Sequence, residues 1–254
     1  MFEEKDYDLG KRPLWAIFAA VIIFCALAIF ITNCVAFGEG SRILPIYSVE
    51  TPEKKIAVTF NCAWSADDVP EILEVLEKYD AKATFFVLGQ WAKDNPSAVK
   101  MIAEAGHEIG SHSNTHPDMA VQSPAEIEKE MSRAAENIEK AGGGEPKLFR
   151  APSGSYSNTL VETVSKLGYT TVQWDVDSRD WKDKSAGELV EEVTKNVGRG
   201  SIVLFHCGKK NTLEALPQIL EILKNGGYEF IPVSELIYTE NYTIDHTGRQ
   251  FALS

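Results

Sequence analysis

The strongest constraint on the fold is a regular alternation of short apolar runs with longer amphipathic runs between residues 54 and 237. The short runs are rich in Val, Ile, Phe and Thr, which is typical of β-strands. They predict strands at Ile56–Phe60, Ala83–Leu88, Glu108–Gly110, Lys147–Arg150, Thr170–Val176, Ser201–Phe205 and Glu229–Val233.

Helices are predicted between these strands. Several of the amphipathic runs begin near proline or serine and end before glycine, as helices do. Strands that alternate with helices form a parallel sheet, so the sequence predicts an α/β fold, either an open doubly wound sheet or a barrel. The predicted helices are Pro70–Tyr79, Pro96–Ala105, Pro124–Ala141, Ser157–Leu167, Ser185–Val197 and Thr212–Asn225.

Polar clusters follow five of the predicted strands. Catalytic groups gather at the carboxyl edge of a parallel sheet, and five clusters on that edge are hard to explain as packing. We therefore predict a functional site there. The clusters are Asn61 and Cys62, then His112 and His116, then Arg150–Gly154, Asp177–Trp181 and His206.

His112 and His116 are the candidate metal ligands. They are four residues apart in a stretch of small and hydroxylated residues that leaves room for a ligand. Neutral imidazole is the commonest nitrogen ligand of zinc, and two imidazoles with one carboxylate leave a coordination position open for water.

The segment from Leu14 to Phe37 contains no charged residue and is long enough to cross a membrane as a helix. Lys11 and Arg12 precede it, which favours a cytoplasmic N-terminus and an external body. A cleaved signal peptide is the alternative, with small residues at Cys34–Ala36 for the cut. The apolar run is longer than a usual signal sequence, so we expect an uncleaved, single-pass anchor in the cell membrane.

The expected organisation is a short cytoplasmic N-terminus (1–13), a transmembrane helix (14–37), a linker (38–53), an extracytoplasmic domain (54–237) and a polar tail (238–254). The formal net charge of −12 and the lack of a basic run exclude nucleic acid as an expected partner. Cys25 and Cys34 fall in the apolar span, whereas Cys62 and Cys207 fall in the external domain, where a disulfide is chemically permitted.

Four motifs in order resemble the polysaccharide deacetylases that share the NodB homology domain, carbohydrate esterase family 4, over about 54–237. They read His112-Ser-Asn-Thr-His116, Arg150-Ala-Pro-Ser-Gly154, Asp177-Ser-Arg-Asp180-Trp181 and Leu204-Phe-His206. The chain looks especially similar to the membrane-anchored, sporulation-associated branch. The resemblance implies a deformed (β/α) barrel and a hydrolase of carbon–nitrogen bonds other than peptide bonds, which removes acetyl groups from N-acetylated sugars.

The resemblance also implies roles for individual residues. His112 and His116 would hold a divalent metal, zinc by expectation, together with a carboxylate. His206 would be the general acid that protonates the departing amine, and Asp180 would orient it. Arg150 would position the base. Trp181 and Leu204 would shape the acetate pocket, and the backbone N–H of Ser153, which replaces the usual aromatic residue, would help to hold the oxyanion.

The first motif departs from the family. The pattern T-F-D-D-G supplies a base and a metal ligand, but the same register here gives Asn61 and Cys62. An amide cannot take a proton near neutral pH, and losing a general base costs typically about 10²- to 10⁴-fold in rate. Asp67 or Asp68, with Asp68 preferred, could supply the missing carboxylate ligand. Alternatively, Cys62 could form a disulfide with Cys207, or Cys62 could bind the metal as a thiolate.

Two functions of different classes follow. The first is a membrane-anchored, metal-dependent deacetylase of cell-wall amino sugars, with peptidoglycan as the expected substrate and sporulation as a possible setting. The second is a catalytically impaired descendant that binds glycan or serves as a structural factor, which the replacement of both aspartates favours. The retained histidines, Arg150 and Asp180 favour the enzyme, because a binding module has no need of a general acid.

Overall fold

The computed structural model describes residues 42–182 and 184–253, in which parallel strands alternate with helices. The main sheet has 8 strands in the order β6-β5-β4-β3-β2-β8-β7, with β9 paired to β2, and all its pairs are parallel. In chain order the strands of the described residues are β1 (Ser48–Val49), β2 (Lys55–Cys62), β3 (Ala83–Val87), β4 (Glu108–Ser111), β5 (Leu148–Phe149), β6 (Thr170–Thr171), β7 (Val176–Asp177), β8 (Ile202–His206), β9 (Glu229–Phe230), β10 (Tyr242–Ile244) and β11 (Arg249–Ala252).

Helices connect these strands. Two short 3₁₀ turns occur at Met119–Val121, after the loop with His112 and His116, and at Pro152–Gly154, which contains Ser153. The α-helices are α1 (Val69–Lys78), α2 (Gly89–Asp94), α3 (Pro96–Glu104), α4 (Pro124–Lys140), α5 (Asn158–Lys166), α6 (Ala186–Asn196), α7 (Lys210–Asn225) and α8 (Val233–Leu236).

The sheet is curled. β6 and β7 lie at opposite ends of the strand order, yet only residues 172–175 connect them. A chain spans at most about 3.6 Å per residue, so the two ends of the sheet must lie close together. Ile46 forms a parallel bridge with Val172 in this gap. The predicted deformed barrel is thus confirmed in a coarser form, as a parallel sheet curled into a partial barrel.

The centre of the sheet is fixed by aromatic packing. Phe60 on β2 stacks on Phe85 of β3 and Phe205 of β8, with ring centroids 4.9 and 5.7 Å apart. All three rings are fully buried, and burying such a side chain contributes roughly 1.5–3 kcal/mol. This packing holds the three strands whose carboxyl ends carry Asn61, the loop after Val87 and His206.

The predicted helices agree with the structure to within two residues at each end, because residues near each end determine where the helix starts and stops. Ser123 and Glu126 form a capping box at the start of α4, and Ser185 and Glu188 form another at α6. Two helices, α2 and α8, were not predicted, since they are only 6 and 4 residues long.

The strands differ more from the prediction. The segment 170–176, predicted as one strand, is divided between β6 and β7, because the chain leaves one end of the sheet there and joins the other. Parts of the predicted linker and tail also form strands. β1 pairs in parallel with β11, and β10 pairs antiparallel with β11, in a separate 3-stranded sheet.

The predicted membrane helix, 14–37, lies outside the described residues. Within 42–182 and 184–253, no helix is long and apolar enough to span a membrane.

Candidate active site

A cavity of about 430 Å³ opens at the carboxyl ends of the parallel strands. Seven residues predicted for the site line it, and the structure therefore brings most of the predicted constellation together. They are Asn61, His112, His116, Ser153, Trp181, Leu204 and His206. Arg150 and Asp180 do not line the cavity but contact residues that do. Arg150 is fully buried and contacts Asn61, and Asp180 is 3% exposed and contacts His206.

His206 ends β8 and is held by Asp180 through two hydrogen bonds. The His206 backbone N–H donates to Asp180 Oδ2 at 2.7 Å, and Nδ1 of the ring lies 2.6 Å from Oδ1. Thr212 donates its hydroxyl to Oδ2 at 2.6 Å. An ionised carboxylate only accepts, so Nδ1 carries a proton and the other ring nitrogen, Nε2, is left for a ligand in the cavity. The predicted orienting role of Asp180 matches this geometry.

His112 and His116 both line the cavity, and their rings meet edge to face with centroids 5.1 Å apart. His112 Nδ1 donates to the carbonyl of Arg150 at 2.8 Å, which leaves the lone pair of Nε2 for a ligand. Burial lowers the pKa of His112 to about 3, and partial burial lowers the pKa of His116. Both rings are therefore neutral at physiological pH, the form that binds a metal.

The loop that carries the two histidines is held in an unusual backbone conformation. Ser113 and His116 have φ values of 72° and 62°, which cost energy in residues other than glycine. Glu130 on α4 compensates by accepting hydrogen bonds from the backbone N–H groups of Asn114 and Thr115 at 3.0 and 2.9 Å, and from the Thr115 hydroxyl at 3.1 Å. Glu130 was not predicted, because its contact with the loop arises only from folding.

Arg150 is fully buried and contacts Asn61. Its guanidinium donates to Thr59 Oγ1 at 2.8 Å, to Asn61 Oδ1 at 3.2 Å and to the carbonyl of Gln173 at 3.0 Å. Burial lowers the pKa of Arg150, although arginine stays protonated in proteins. Within the described residues no ion pair includes Arg150, and its Nε–H has no hydrogen-bond acceptor. The cation is thus buried against neutral oxygens and against the Phe86 ring, whose centroid is 4.0 Å away.

The structure does not bring Asp68 to the histidines. Asp68 precedes α1 and is not part of the cavity wall. Its Oδ2 accepts hydrogen bonds from the backbone N–H groups of Gly208 and Lys209 at 2.7 and 3.2 Å. Burial raises the pKa of Asp68. The expectation that Asp68 is the third metal ligand therefore has no support in the geometry: its carboxylate binds the loop that follows β8.

Cys62 and Cys207 lie side by side, as the disulfide hypothesis requires. Both are fully buried, free thiols, and their Sγ atoms are 2.9 Å apart. They are neighbours because Asn61 and His206, the residues before them, are partners in the β2–β8 register. Cys62 does not line the cavity, and burial raises the pKa of the Cys207 thiol. The geometry therefore does not support Cys62 as a thiolate ligand.

The residues fit a divalent metal in part. His112 and His116 place two neutral imidazoles side by side in the wall of the cavity, with ring centroids 5.1 Å apart. No group of three or more His, Cys, Asp or Glu side chains that could hold a metal occurs in the portion of the chain that the structure describes. A metal held by these two histidines would take its remaining ligands from water or substrate.

Four cavity residues had no predicted role: Ala63, Trp64, Trp174 and Asp177. Asp177 belongs to a recognised motif, and Trp64 follows the altered first motif, so both could have been found in the sequence. Trp174 lies in the connection 172–175, and only the curl of the sheet brings it to the site.

A sequence profile described as "Polysaccharide deacetylase" matches residues 48–172. A peptidoglycan-N-acetylglucosamine deacetylase of Bacillus cereus is 37% identical, over 75% of this chain and 92% of the relative. PgdA of Listeria monocytogenes, also named a peptidoglycan-N-acetylglucosamine deacetylase, is 36% identical over 85% of this chain, and this chain spans 46% of its length.

A similar solved structure is that of BA3943 from Bacillus anthracis, described as a carbohydrate esterase family 4 pseudoenzyme. It is 38% identical, with a TM-score of 0.73 over 76% of this chain and 68% of the other. A mutant of BA3943 is described as having restored enzymatic activity.

Proposed function

The chain belongs to the polysaccharide deacetylase family, and from that premise we propose that it hydrolyses the N-acetyl groups of amino sugars in peptidoglycan. One observation carries the proposal: His206 is hydrogen-bonded to buried Asp180 at 2.6 Å and faces the same cavity as the paired imidazoles of His112 and His116. The similar deacetylases of Bacillus cereus and Listeria support peptidoglycan as the substrate.

His206 is the proposed general acid. Amide hydrolysis ends when the carbon–nitrogen bond breaks and the sugar amine leaves, and the amine leaves far more easily when it is protonated. His206 lines the cavity, and because Nδ1 is bonded to Asp180, its Nε2 is the nitrogen that can give that proton. Asp180 stabilises the charged imidazole before the transfer and fixes the plane of the ring.

A divalent metal, zinc in our proposal, would be held by His112 and His116 and would polarise the acetyl carbonyl and lower the pKa of a water molecule. The chain contributes the orientation of both ligands. The Arg150 carbonyl fixes His112 at 2.8 Å, and Ser153 and Leu204 border the space for the acetyl group. We propose that the Ser153 backbone N–H helps to stabilise the oxyanion and that Trp181 closes the acetate pocket.

Asn61 limits the rate in this proposal. It lies where a base would take a proton from water, but its amide cannot bind that proton near neutral pH. Arg150 donates to its oxygen, so the amide still keeps the position and orientation of a base. We therefore expect slow hydrolysis, reduced by about 10²- to 10⁴-fold relative to a site with a carboxylate.

The location of the protein in the cell and the division of the chain into an anchor and a catalytic unit are also proposed. We propose that the uncharged segment 14–37 anchors the protein in the cell membrane, with 1–13 in the cytoplasm and the catalytic unit outside it, next to the wall glycan. A role in sporulation is proposed on the resemblance to the sporulation-associated branch alone. Retention of the full-length protein in washed membranes, and release when 1–37 is deleted, would support the anchor.

Product analysis tests the proposed activity. Peptidoglycan is incubated with the full-length protein in the presence of zinc, digested to muropeptides and analysed by mass spectrometry. Loss of acetyl groups is expected with the native protein and is expected to disappear in His206→Ala. The same loss of acetyl groups in His206→Ala would show that His206 is not the general acid.

The second candidate function is glycan binding without catalysis. The contact of Asn61 with a buried, carboxylate-free Arg150 favours it, as does the similarity to BA3943, a described pseudoenzyme. It predicts that the native protein sediments with peptidoglycan but releases no acetyl groups under any metal condition. Release of acetyl groups by the native protein, abolished in His206→Ala, would exclude this candidate.

A further inference from the structure

Two indole side chains stand half-exposed in the wall of the cavity. Trp64 and Trp181 are each 48% exposed, and both line the cavity. Exposed tryptophans are costly in water, and when they cluster at a cavity they commonly mark a binding surface. The resemblance assigns Trp181 to the acetate pocket, whereas nothing assigns a role to Trp64.

The position of Trp64 is fixed by contacts on several sides. Its carbonyl accepts a hydrogen bond from Trp91 Nε1 at 2.8 Å. Its ring packs at 65° against His206, with centroids 4.9 Å apart, and Lys209 Nζ lies 4.0 Å from the ring centroid. The exposed indole is therefore held in place before a ligand binds, which reduces the entropy cost of binding.

Asp68 supports this arrangement from behind. By accepting hydrogen bonds from Gly208 and Lys209, it fixes the segment from which Lys209 covers Trp64. Gly208 has a φ of 79°, and a Cβ there would lie 2.8 Å from the Ser65 backbone nitrogen and 3.1 Å from Trp64 Cβ. The segments 62–68 and 207–209 are thus packed too closely for a side chain at Gly208.

The chemistry of the wall suits a sugar. A pyranose ring has C–H groups on its faces and hydroxyls on its rim, so it fits an aromatic face next to polar groups. The cavity offers both: Trp64, Trp174 and Trp181 on its walls, and the imidazoles with Asn61 and Asp177 between them. A purely apolar ligand would leave these polar groups desolvated and unpaired.

We propose that Trp64 is a sugar-binding residue that contacts the pyranose ring next to the one whose acetyl group enters the cavity. The proposal rests on the proposed function in taking an N-acetylated glycan as the ligand. Trp64 would then determine specificity for oligomers over single sugars, because it touches a ring that a monosaccharide lacks. It lies beside His206, with ring centroids 4.9 Å apart.

Binding measured without catalysis tests this. The full-length protein is titrated calorimetrically with tetra-N-acetylchitotetraose and with the monosaccharide N-acetylglucosamine. Trp64→Ala should weaken tetrasaccharide binding by about tenfold or more, and the loss for the monosaccharide should be smaller. Trp64→Phe, which keeps an aromatic face, should recover most of the affinity.

Ile222→Ala is the matched control, because Ile222 is also exposed, at 42%, and does not line the cavity. Its affinity should equal that of the native protein. Native affinity in Trp64→Ala would overturn the proposal, as would the absence of tetrasaccharide binding by the native protein. An equal loss for both saccharides in Trp64→Ala and Trp64→Phe would assign Trp64 a structural role instead.

The outcome is separable from that of the proposed function. If the native protein binds the tetrasaccharide through Trp64 but releases no acetate, the hydrolase fails and the sugar-binding residue stands. If the native protein releases acetate and Trp64→Ala binds the tetrasaccharide like native protein, the hydrolase stands and this inference fails.

Discussion

At the scale of single residues, the pair Asn61 and Arg150 decides how the site works. Arg150 is buried without a carboxylate partner among the described residues, and Asn61 Oδ1 takes one of its hydrogen bonds. This buried cation lacks a full opposing charge, because the amide offers a dipole and the Phe86 ring, 4.0 Å from the guanidinium, offers a quadrupole. The geometry of a base is preserved while the charge of a base is missing.

Restoring the charge should stabilise the protein. In Asn61→Asp the carboxylate would accept a charge-assisted hydrogen bond from Arg150, a kind of bond worth about 1.5–3 kcal/mol, less the cost of burying the new charge. We expect the free energy of unfolding in urea near pH 7 to rise by about 1 kcal/mol. Asn61→Ala, the control, should lower it. A lower stability for Asn61→Asp than for native protein would contradict the view that Arg150 lacks a partner.

His107 should make stability depend on pH away from the site. Its Nδ1 accepts a hydrogen bond from the Ala83 N–H at 3.2 Å, and burial lowers its pKa to about 4. Between about pH 6.5 and pH 4 the unfolded chain therefore binds more protons than the folded one, and stability falls as the pH is lowered through this range.

Urea unfolding at several pH values measures this dependence. His107→Gln retains an acceptor but does not titrate, so its stability should fall less steeply below about pH 6.5 than that of the native protein. His112 and His116 are present in both proteins and titrate in the same direction, so the difference between the slopes isolates His107. Equal slopes would show that His107 titrates normally in the folded state.

The site residues that belong to a sequence motif could be predicted individually. His112, His116 and His206 could be placed because each follows a strand, and the structure puts all three on one cavity. The role of Asp68 could not be predicted, because the direction of its side chain depends on the packing of 62–68 against 207–209. Glu130 and Trp174 were missed for the same reason: only the folded chain brings them to the site.

At the scale of elements, the ends of β2 and β8 form the base of the site. The Cys207 N–H donates to the Asn61 carbonyl at 3.1 Å, and the thiols of Cys62 and Cys207 are in contact just behind Asn61 and His206. A disulfide at this point would join the two strands covalently. An S–S bond is about 2 Å long, so the Sγ atoms need to move by only about an ångström from their 2.9 Å separation.

We expect this disulfide to form when the protein is produced in an oxidising compartment. Unfolded but unreduced protein should then resist alkylation at Cys62 and Cys207, as measured by peptide mass spectrometry, and should react after reduction. Reduction should lower stability by about 2–5 kcal/mol, and it should not change the stability of a Cys62→Ala/Cys207→Ala control. Complete alkylation of both thiols without reductant would show that they remain free.

Helix α4 acts on the site through Glu130. Because Glu130 anchors the strained loop between His112 and His116, Glu130→Gln should weaken zinc binding by about 10- to 100-fold in calorimetric titration. Glu128→Gln, on the exposed side of the same helix, is the matched control and should bind zinc like native protein. Equal zinc affinity in Glu130→Gln and native protein would mean that the loop needs no anchor.

Helices and strands were predictable where residues close to their ends in the sequence determine those ends. The capping boxes at Ser123 and Ser185 mark the starts of two long helices, and the structure begins those helices at the next residue. Strands of two residues, such as β6 and β7, have no such signal, because their pairing depends on distant partners. The pairing of residues 48–49 with residues 249–250 could not be predicted either, because most of the chain separates the two segments.

At the scale of the whole molecule, the alternation of strands and helices predicts a parallel α/β fold. It does not decide between an open sheet and a barrel. The short connection 172–175 settles the choice by bringing the ends of the strand order together. That curl places Trp174, Asp177 and Trp181 opposite Asn61 and the histidines. The cavity is therefore a product of the global topology.

Acetate release by the native full-length protein, measured beside Asn61→Asp on peptidoglycan with zinc present, tests the proposed activity most directly. We expect slow release by the native protein, and release about 10²- to 10⁴-fold faster by Asn61→Asp, because the substitution supplies the base that the native site lacks. No release by the native protein, with release by Asn61→Asp alone, would contradict the proposed activity and identify a glycan-binding protein that retains the scaffold of an enzyme.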